Sequence, residues 1–410
     1  MRPVLPPVVS APAGHDRKAS GGVKDLAVKV IGIIVNGATG RIASTQHLAN
    51  ALVPIRAEGG LPAGADRIVP HLLLVGRDAS RLASIAQRFG LDDWTTDLDA
   101  ALAKSKFSVF FDAAATRQRI ATLAKAIAAG KHIYSEKPIA PSVAEGLSLL
   151  QAAHSHGLKA GVVEDKIFLP GLQKLSTLAA SGFFGRITGF RLDFGWWVFD
   201  GAKRPSQRPS WNYQRAGGGG LILDMYPHWR YVIEGILGPI SRVVTAIKTS
   251  ISDRVDEAGK PYSVDVDDTS ITLVELSSGA VGTIICSWAT RVRRDDLLTL
   301  QVDGTGGSAL AGLHRCWVQS SAETPTIRHF NPSLDIGADY RAQWQEVAGS
   351  GGYTNPYRVG WENFLRHVAT DAPLASDLSA GIRDVQLAEA CYRSVAEQKW
   401  IALDEIAGAV

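Results

Sequence analysis

The sequence predicts a two-part α/β protein: a doubly wound parallel sheet, then a domain built on antiparallel strands. Three observations predict it. Short β-branched apolar runs alternate with helical stretches through residues 28–163, the pattern of strands joined by crossover helices. From Gly185 onward the runs lengthen and alternate polar with apolar residues, the period-two signature of antiparallel strands with two different faces. The chain has 410 residues, more than one hydrophobic core usually organises. Its 46% apolar and 20% charged content is that of an ordinary globular protein, and a net charge of +3 is small for this length. Nucleic acid and anionic membranes are therefore poor candidates as partners. The three cysteines, Cys286, Cys316 and Cys391, are scattered and read as reduced thiols.

Residues 1–27 mix Pro, Gly, Ser and basic residues and read as a flexible tail. Val4 to Ala13 imitates a signal peptide, but Pro6, Pro7 and Ser10 interrupt its apolar stretch, so a cytoplasmic protein is expected. No apolar run is long enough to span a bilayer.

Val28 to Val35 is a buried parallel strand by composition. It runs into Asn36-Gly37-Ala38-Thr39-Gly40-Arg41-Ile42 and a helix reaching about Leu52. Strand, glycine turn and helix together present backbone N–H groups and a helix dipole to a pyrophosphate. Val35 occupies the place of the first glycine in G-x-G-x-x-G. Residues 53–70 read as an inserted loop, and His71–Val75 as the second strand, ending in Gly76-Arg77-Asp78. An acid at that strand end binds the ribose diol of NAD, whereas an arginine there pairs with the 2′-phosphate of NADP. Gly76 leaves space and Arg77 supplies the charge, so NADP is expected; the alternative is NAD with its ribose on Asp78. Helices over Asp78–Phe89, Leu98–Ala103 and Thr116–Ala129 then alternate with strands Phe107–Asp112 and His132–Ser135. The last strand delivers Glu136-Lys137-Pro138 to the carboxyl edge of the sheet, where such sheets bind ligands.

In the second part, Gly217-Gly218-Gly219-Gly220 precedes a helix carrying Asp224 and His228. Such a run lets backbone pass close to something bulky or opens a helix. The four-residue spacing places the carboxylate and the imidazole on one helical face, an arrangement that fixes a histidine tautomer. Just before it, Trp197, Trp211 and Tyr213 stand among Arg204, Arg208 and Arg215. Aromatic faces of this kind stack on sugar rings or simply fill a core. His154 and His156 lie at a helix end with no further ligands near in sequence, so no metal is expected.

The chain resembles the Gfo/Idh/MocA oxidoreductases on Glu136-Lys137-Pro138, Ser181-Gly182-Phe183-Phe184-Gly185-Arg186-Ile187, Gly218-Gly219-Gly220 through Asp224 and His228, Gly304-Thr305-Gly306-Gly307-Ser308, and Leu374 to Leu403. The resemblance implies an N-terminal Rossmann domain over residues 28–163. It also implies a C-terminal α/β domain over 164–410, with a large open, mostly antiparallel sheet that makes a homodimer or homotetramer. It implies hydride transfer between NAD(P) and a secondary hydroxyl or ketone of a sugar, glycoside or cyclitol. His228 would be the general base, Lys137 the donor to the same oxygen, and Asp224 the residue orienting the pair; which of Lys137 and His228 is the formal base varies across such enzymes. Asn36 to Ile42, Gly76, Arg77, Asp78, Ala114, Ala115, Thr116, Glu136 and Lys137 would hold the cofactor. Lys137, Trp197, Trp211, Tyr213, Arg215, Asp224 and His228 would hold the substrate. Thr116 and Arg119 stand where many members have asparagine and histidine, and Tyr231 where an aspartate commonly follows the histidine by three. Two other readings stay open. One is a reductase of a non-sugar carbonyl, imine or tetrapyrrole-like substrate; the other is a non-catalytic NADP-binding sensor.

Overall fold

The structure, a computed structural model, describes residues 27–64, 66–197, 201–326, 333, 339–349 and 352–406. The tail expected over residues 1–27 lies outside them but for Ala27. The first sheet contains β1 (Ala27–Asn36), β2 (Leu61–Ala63), β3 (Asp66–Val75), β4 (Trp94–Thr95), β5 (Phe107–Asp112), β6 (His132–Ser135) and β7 (Ala160–Val162). Its order is β2-β3-β1-β5-β6-β7, with β4 also paired to β3. All its pairings are parallel except β2 with β3. Period two divides β1 between two cores: Ile33 and Val35 pack on one face, Ile34 on the other. The register sets Asn36 beside Asp112 and Asp112 beside Ser135, so the strand ends that deliver Gly37, Ala113 and Glu136 share one edge.

The loop expected over residues 53–70 is instead a helical turn, Val53–Ala57, and a hairpin of β2 with the start of β3. Pro and Gly suit either form. Gly60 decides it, since its φ is +95° and a Cβ there would lie 2.4 Å from the Ile68 carbonyl oxygen.

The second sheet uses β8 (Ile187–Gly195), β9 (Ile240–Lys248), β12 (Thr269–Leu276), β13 (Val281–Ser287), β14 (Leu298–Gly304), β15 (Gly307–Ala311), β16 (Cys316–Ser320), β17 (Gln345–Glu346) and β18 (Ile401–Ala402). A small hairpin, β10 (Asp253–Val255) with β11 (Pro261–Ser263), stands apart. The order is β17-β16-β15-β14-β8-β13-β12-β9-β18, antiparallel throughout except β8 with β13. One face lies under the helices Pro170–Ala180, Leu221–Leu237 and Leu378–Glu397. The other is open: Ile271 and Leu273 on β12, with Val281 and Ile285 on β13, are between 39% and 50% exposed.

The helix Pro356–Thr370, assigned by chain order to the second domain, belongs to the core of the first. Trp361, Phe364 and Leu365 are fully buried there. The Trp361 indole donates to His47 Nδ1 at 2.9 Å, and Phe364 stacks on Tyr134 at 4.4 Å. The strands β1–β7 precede residue 164 and β8–β18 follow it, while this helix packs back onto the first sheet. Among the described residues no helix is long and apolar enough to cross a membrane.

Candidate active site

The glycine run does both things such a run can do. A Cβ on Gly217 would lie 2.6 Å from the Trp211 carbonyl oxygen, and one on Gly219 would lie 2.3 Å from that of Asn212. Backbone thus rests on backbone. Gly220, at φ +126°, opens the helix Leu221–Leu237. The opening amides are satisfied from outside: Leu221 N donates to the Asp267 carbonyl at 3.0 Å and Ile222 N to Asp267 Oδ2 at 2.8 Å. This presents Asp224 in the first turn and His228 one turn on.

Lys137 arrives from the end of β6, across a cis peptide to Pro138. Its ammonium donates to Asp224 Oδ1 at 2.7 Å and to the Asp224 carbonyl at 2.6 Å. Arg208, from the aromatic loop, pairs with Asp224 Oδ2 at 2.8 Å. Burial pushes the Asp224 carboxyl upward, yet Arg208 and Lys137 hold it below its ordinary value. An ammonium has three N–H groups, so one remains for a ligand after the two spent on Asp224.

Asp224 and His228 share a face but are not hydrogen-bonded to each other, so Asp224 orients Lys137 and not the imidazole. His228 Nδ1 is 2.8 Å from the Tyr231 hydroxyl. That hydroxyl accepts the Lys166 backbone N–H at 2.9 Å and lies 3.4 Å from Asp165 Oδ1. Lys166 Nζ pairs with Asp165 Oδ2. His228 Nε2 has no hydrogen-bond partner among the described residues. Burial drives the imidazole well below its ordinary pKa, with Lys137, Lys166 and Arg208 adding to the effect. A neutral ring with one vacant nitrogen is fit to accept a proton at neutral pH. Tyr231, Asp165, Lys166 and Arg208 were missed as site residues. Only Tyr231, three residues after His228, carried a sequence signal.

At the edge of the first sheet, Gly37 has φ +75°, and a Cβ on it would lie 2.9 Å from the Ala113–Ala114 backbone. Ala38 N donates to the Val75 carbonyl at 3.0 Å, closing the turn from Asn36 to Gly40 before Arg41 and Ile42 enter the helix. This tight glycine turn at a helix start fits a dinucleotide pyrophosphate. Thr39 lies against Gly76, 3.4 Å from the position of its Cβ. Asp78 caps the next helix, its Oδ1 accepting from Arg81 N at 3.0 Å and Ser80 Oγ at 2.8 Å. Arg77 is exposed beside it, and Arg81 donates to the Thr39 carbonyl at 2.9 Å. Ala115 starts the helix Thr116–Ala128, and buried Thr116 is the neighbour of Gly218. Arg119 bonds Asp112 and the carbonyls of Ala114 and Pro138, so it braces the Lys137 turn. Glu136, expected to face the cofactor, is instead spent on the protein, 2.8 Å from His47 Nε2.

The aromatic loop divides. Tyr213 is fully buried, edge-on to Trp288 and beneath the Arg254 guanidinium at 4.1 Å, so it is core and does not line a pocket. Trp197 lies under Arg291 at 3.7 Å. Trp211 is half-buried and supplies the carbonyl against which Gly217 rests. Arg215 is exposed and bound to Asp265 at 2.7 Å through its backbone N–H.

A dinucleotide-type sheet whose edge carries a lysine onto the carboxylate of a second-domain helix, with a neutral histidine one turn on, defines a nicotinamide-dependent oxidoreductase. Comparison with known proteins agrees. A profile described as "Oxidoreductase family, NAD-binding Rossmann fold" matches residues 31–164, and one described as "GFO/IDH/MocA C-terminal domain" matches residues 172–310. The chain is 42% identical to D-xylose dehydrogenase of Paenarthrobacter nicotinovorans over 382 residues, 92% of this chain and 98% of that one. It is 25% identical to levoglucosan dehydrogenase of Pseudarthrobacter phenanthrenivorans, over 79% and 87% of the two chains. A solved levoglucosan dehydrogenase in complex with NADH and levoglucosan superposes with a TM-score of 0.76 at 21% identity, covering 92% of this chain and 100% of that one; at that identity the likeness concerns the fold. The chain belongs to the GFO/IDH/MocA family of NAD-binding oxidoreductases.

Proposed function

We propose that the protein is a dehydrogenase of a cyclic sugar, moving a hydride between a secondary ring hydroxyl and the nicotinamide. The D-xylose and levoglucosan dehydrogenases among its relatives support a sugar substrate. One observation carries the chemistry: among the described residues, Lys137 keeps one N–H and His228 keeps Nε2 after their protein contacts are counted. Bound at the glycine turn, NAD(P) supplies the hydride acceptor. Lys137 donates to the substrate oxygen and stabilises negative charge developing there, His228 takes the hydroxyl proton, and Asp224 holds Lys137 in place. The unspent N–H of Lys137 and Nε2 of His228 argue against a sensor without turnover. Reduction of a non-sugar carbonyl would use the same groups, and a substrate panel separates the two. The assay is reduction of NAD and NADP in the presence of D-xylose, levoglucosan and myo-inositol. Turnover of one of these sugars is expected, and silence with all while a simple ketone is reduced overturns the sugar reading.

NADP is the proposed preference, supported by exposed Arg77 beside Gly76, by Arg81 at the same turn, and by Asp78 being engaged as a helix cap. Calorimetry of both cofactors on the wild type and Arg77→Ala tests it. Tighter NADP binding lost in the variant is expected, and tighter NAD binding refutes it. A homodimer or homotetramer through the open sheet is supported by the apolar patch of Ile271, Leu273, Val281 and Ile285. Leu273→Glu should reduce the mass seen by ultracentrifugation.

A further inference from the structure

We propose that Tyr231 and Asp165 are positioning residues that hold the His228 imidazole in the tautomer a base requires, protonated at Nδ1 and vacant at Nε2. The inference rests on the reading of His228 as the base. Nδ1 lies 2.8 Å from the Tyr231 hydroxyl and 3.7 Å from Asp165 Oδ1. The hydroxyl lies 3.4 Å from that same carboxylate oxygen. A phenol has one proton and two lone pairs, and the Lys166 backbone N–H takes one lone pair at 2.9 Å.

Two arrangements remain. If the phenol proton pointed at Nδ1, the ring would carry its own proton on Nε2 and could take none from a hydroxyl. Asp165 Oδ1 would then face only lone pairs on this side. If the ring is protonated at Nδ1, it donates to the second phenol lone pair and the phenol proton turns to Asp165. Every donor between Nδ1 and Asp165 then meets an acceptor. A carboxylate this close to Nδ1 favours the proton there. When Nε2 takes a proton from the substrate, the imidazolium faces the phenol oxygen and, behind it, Asp165. The surrounding charges make that support matter. Lys137, Lys166 and Arg208 all disfavour a cation at His228, and Asp224, one turn back on the same helix, is engaged by Lys137 and Arg208. Tyr231 is not itself a base, since burial and Asp165 hold its hydroxyl protonated.

The test begins with His228→Gln in the sugar assay. Normal turnover in that variant removes the base and the positioning pair with it. With His228→Gln inactive, Tyr231→Phe is expected to lower kcat roughly tenfold to a hundredfold, the worth of one hydrogen bond to a charged group. KM and cofactor affinity should stay unchanged, and the acid limb of the pH profile should move to lower pH as the imidazolium loses its partner. Asp165→Asn should move the same limb the same way. The double variant should be no slower than the slower single, because both act through one chain. Wild-type kcat in Tyr231→Phe, or a loss equal at every pH with the limb unmoved, overturns the proposal. Thermal melting accompanies each variant, and Asp165→Asn carries the test if Tyr231→Phe does not fold.

Discussion

Two charged clusters hang from the same helix, Leu221–Leu237, and they are built with opposite excess. At its start, one carboxylate, Asp224, serves two cations, Lys137 and Arg208. Two turns on, one cation, Arg230, serves three carboxylates: Glu164 at 2.6 Å, Asp384 at 2.6 Å and Glu234 at 3.3 Å. The excess decides which way protons move. The cation-rich cluster lowers Asp224 and, one turn away, His228. In the anion-rich cluster burial and mutual repulsion push Glu164 up to about 8 and Asp384 up to about 7. Burial and charge are common to both, so neither marks function. The difference is that Lys137 keeps one N–H and His228 keeps Nε2 without a hydrogen-bond partner among the described residues, whereas Arg230 spends four bonds on Glu164, Glu234, Asp384 and the Ala380 carbonyl. Adjacent residues of the segment linking the two sheets feed each side, Glu164 to Arg230 and Asp165 to Tyr231.

The comparison can be broken most sharply at Lys137. Lys137→Ala should lower turnover about 100- to 10,000-fold while melting temperature and cofactor affinity stay near wild type; steady-state kinetics and calorimetry read both. Arg230→Met should do the reverse. Stranding buried carboxylates costs about 3–5 kcal/mol by urea unfolding, with turnover per folded molecule retained. Large turnover loss in a well-folded Arg230→Met would erase the distinction.

The pH dependence of stability separates the clusters further. Glu164 and Asp384 bind protons more tightly folded than unfolded, where their values are 4.5 and 3.8. Their contribution is therefore full at low pH and lost as pH rises through about 7 to 8. His228 is lowered from 6.5, so the unfolded chain binds its proton more readily and stability from this group is lost as pH falls below that value. Melting temperatures should thus fall from about pH 4.5 to about pH 8 as the two carboxyls lose their protons, with His228 opposing the trend below 6.5, and Arg230→Met should carry the fall to higher pH. The smallest effect is expected for Asp384→Asn. Its Oδ2 has no hydrogen-bond partner among the described residues and burial favours its neutral form, so the change should stay within about 1 kcal/mol.

Much of this was legible in the sequence. Phe107–Asp112 and His132–Ser135 have the bounds their composition predicts, because apolar runs between turn residues in a buried parallel sheet have little else to become. The meeting of Lys137 with Asp224 was legible through their motifs. Asp165 and Lys166 were not, because an adjacent Asp-Lys pair reads as a solvated ion pair until the fold brings Tyr231 to it from 66 residues away. Tyr213 and Trp197 were indistinguishable in a loop rich in aromatics, and only packing sends one to the core. The helix Pro356–Thr370 was not foreseen, although Asn355 caps it and Pro356 opens it. Its destination, back in the first domain, is not a local property.

That return has a consequence in time. Ribosomes extend chains at about 5–20 residues per second, and roughly 200 residues lie between Glu164 and the helix that carries Trp361. For some 10–40 seconds at that rate, the nascent first domain would offer Tyr134, Phe111 and His47 to water or to chaperones. Its last wall arrives only after the second domain has been made. A chain cut before residue 356 is expected to reach the same sheet with that wall missing, and to aggregate.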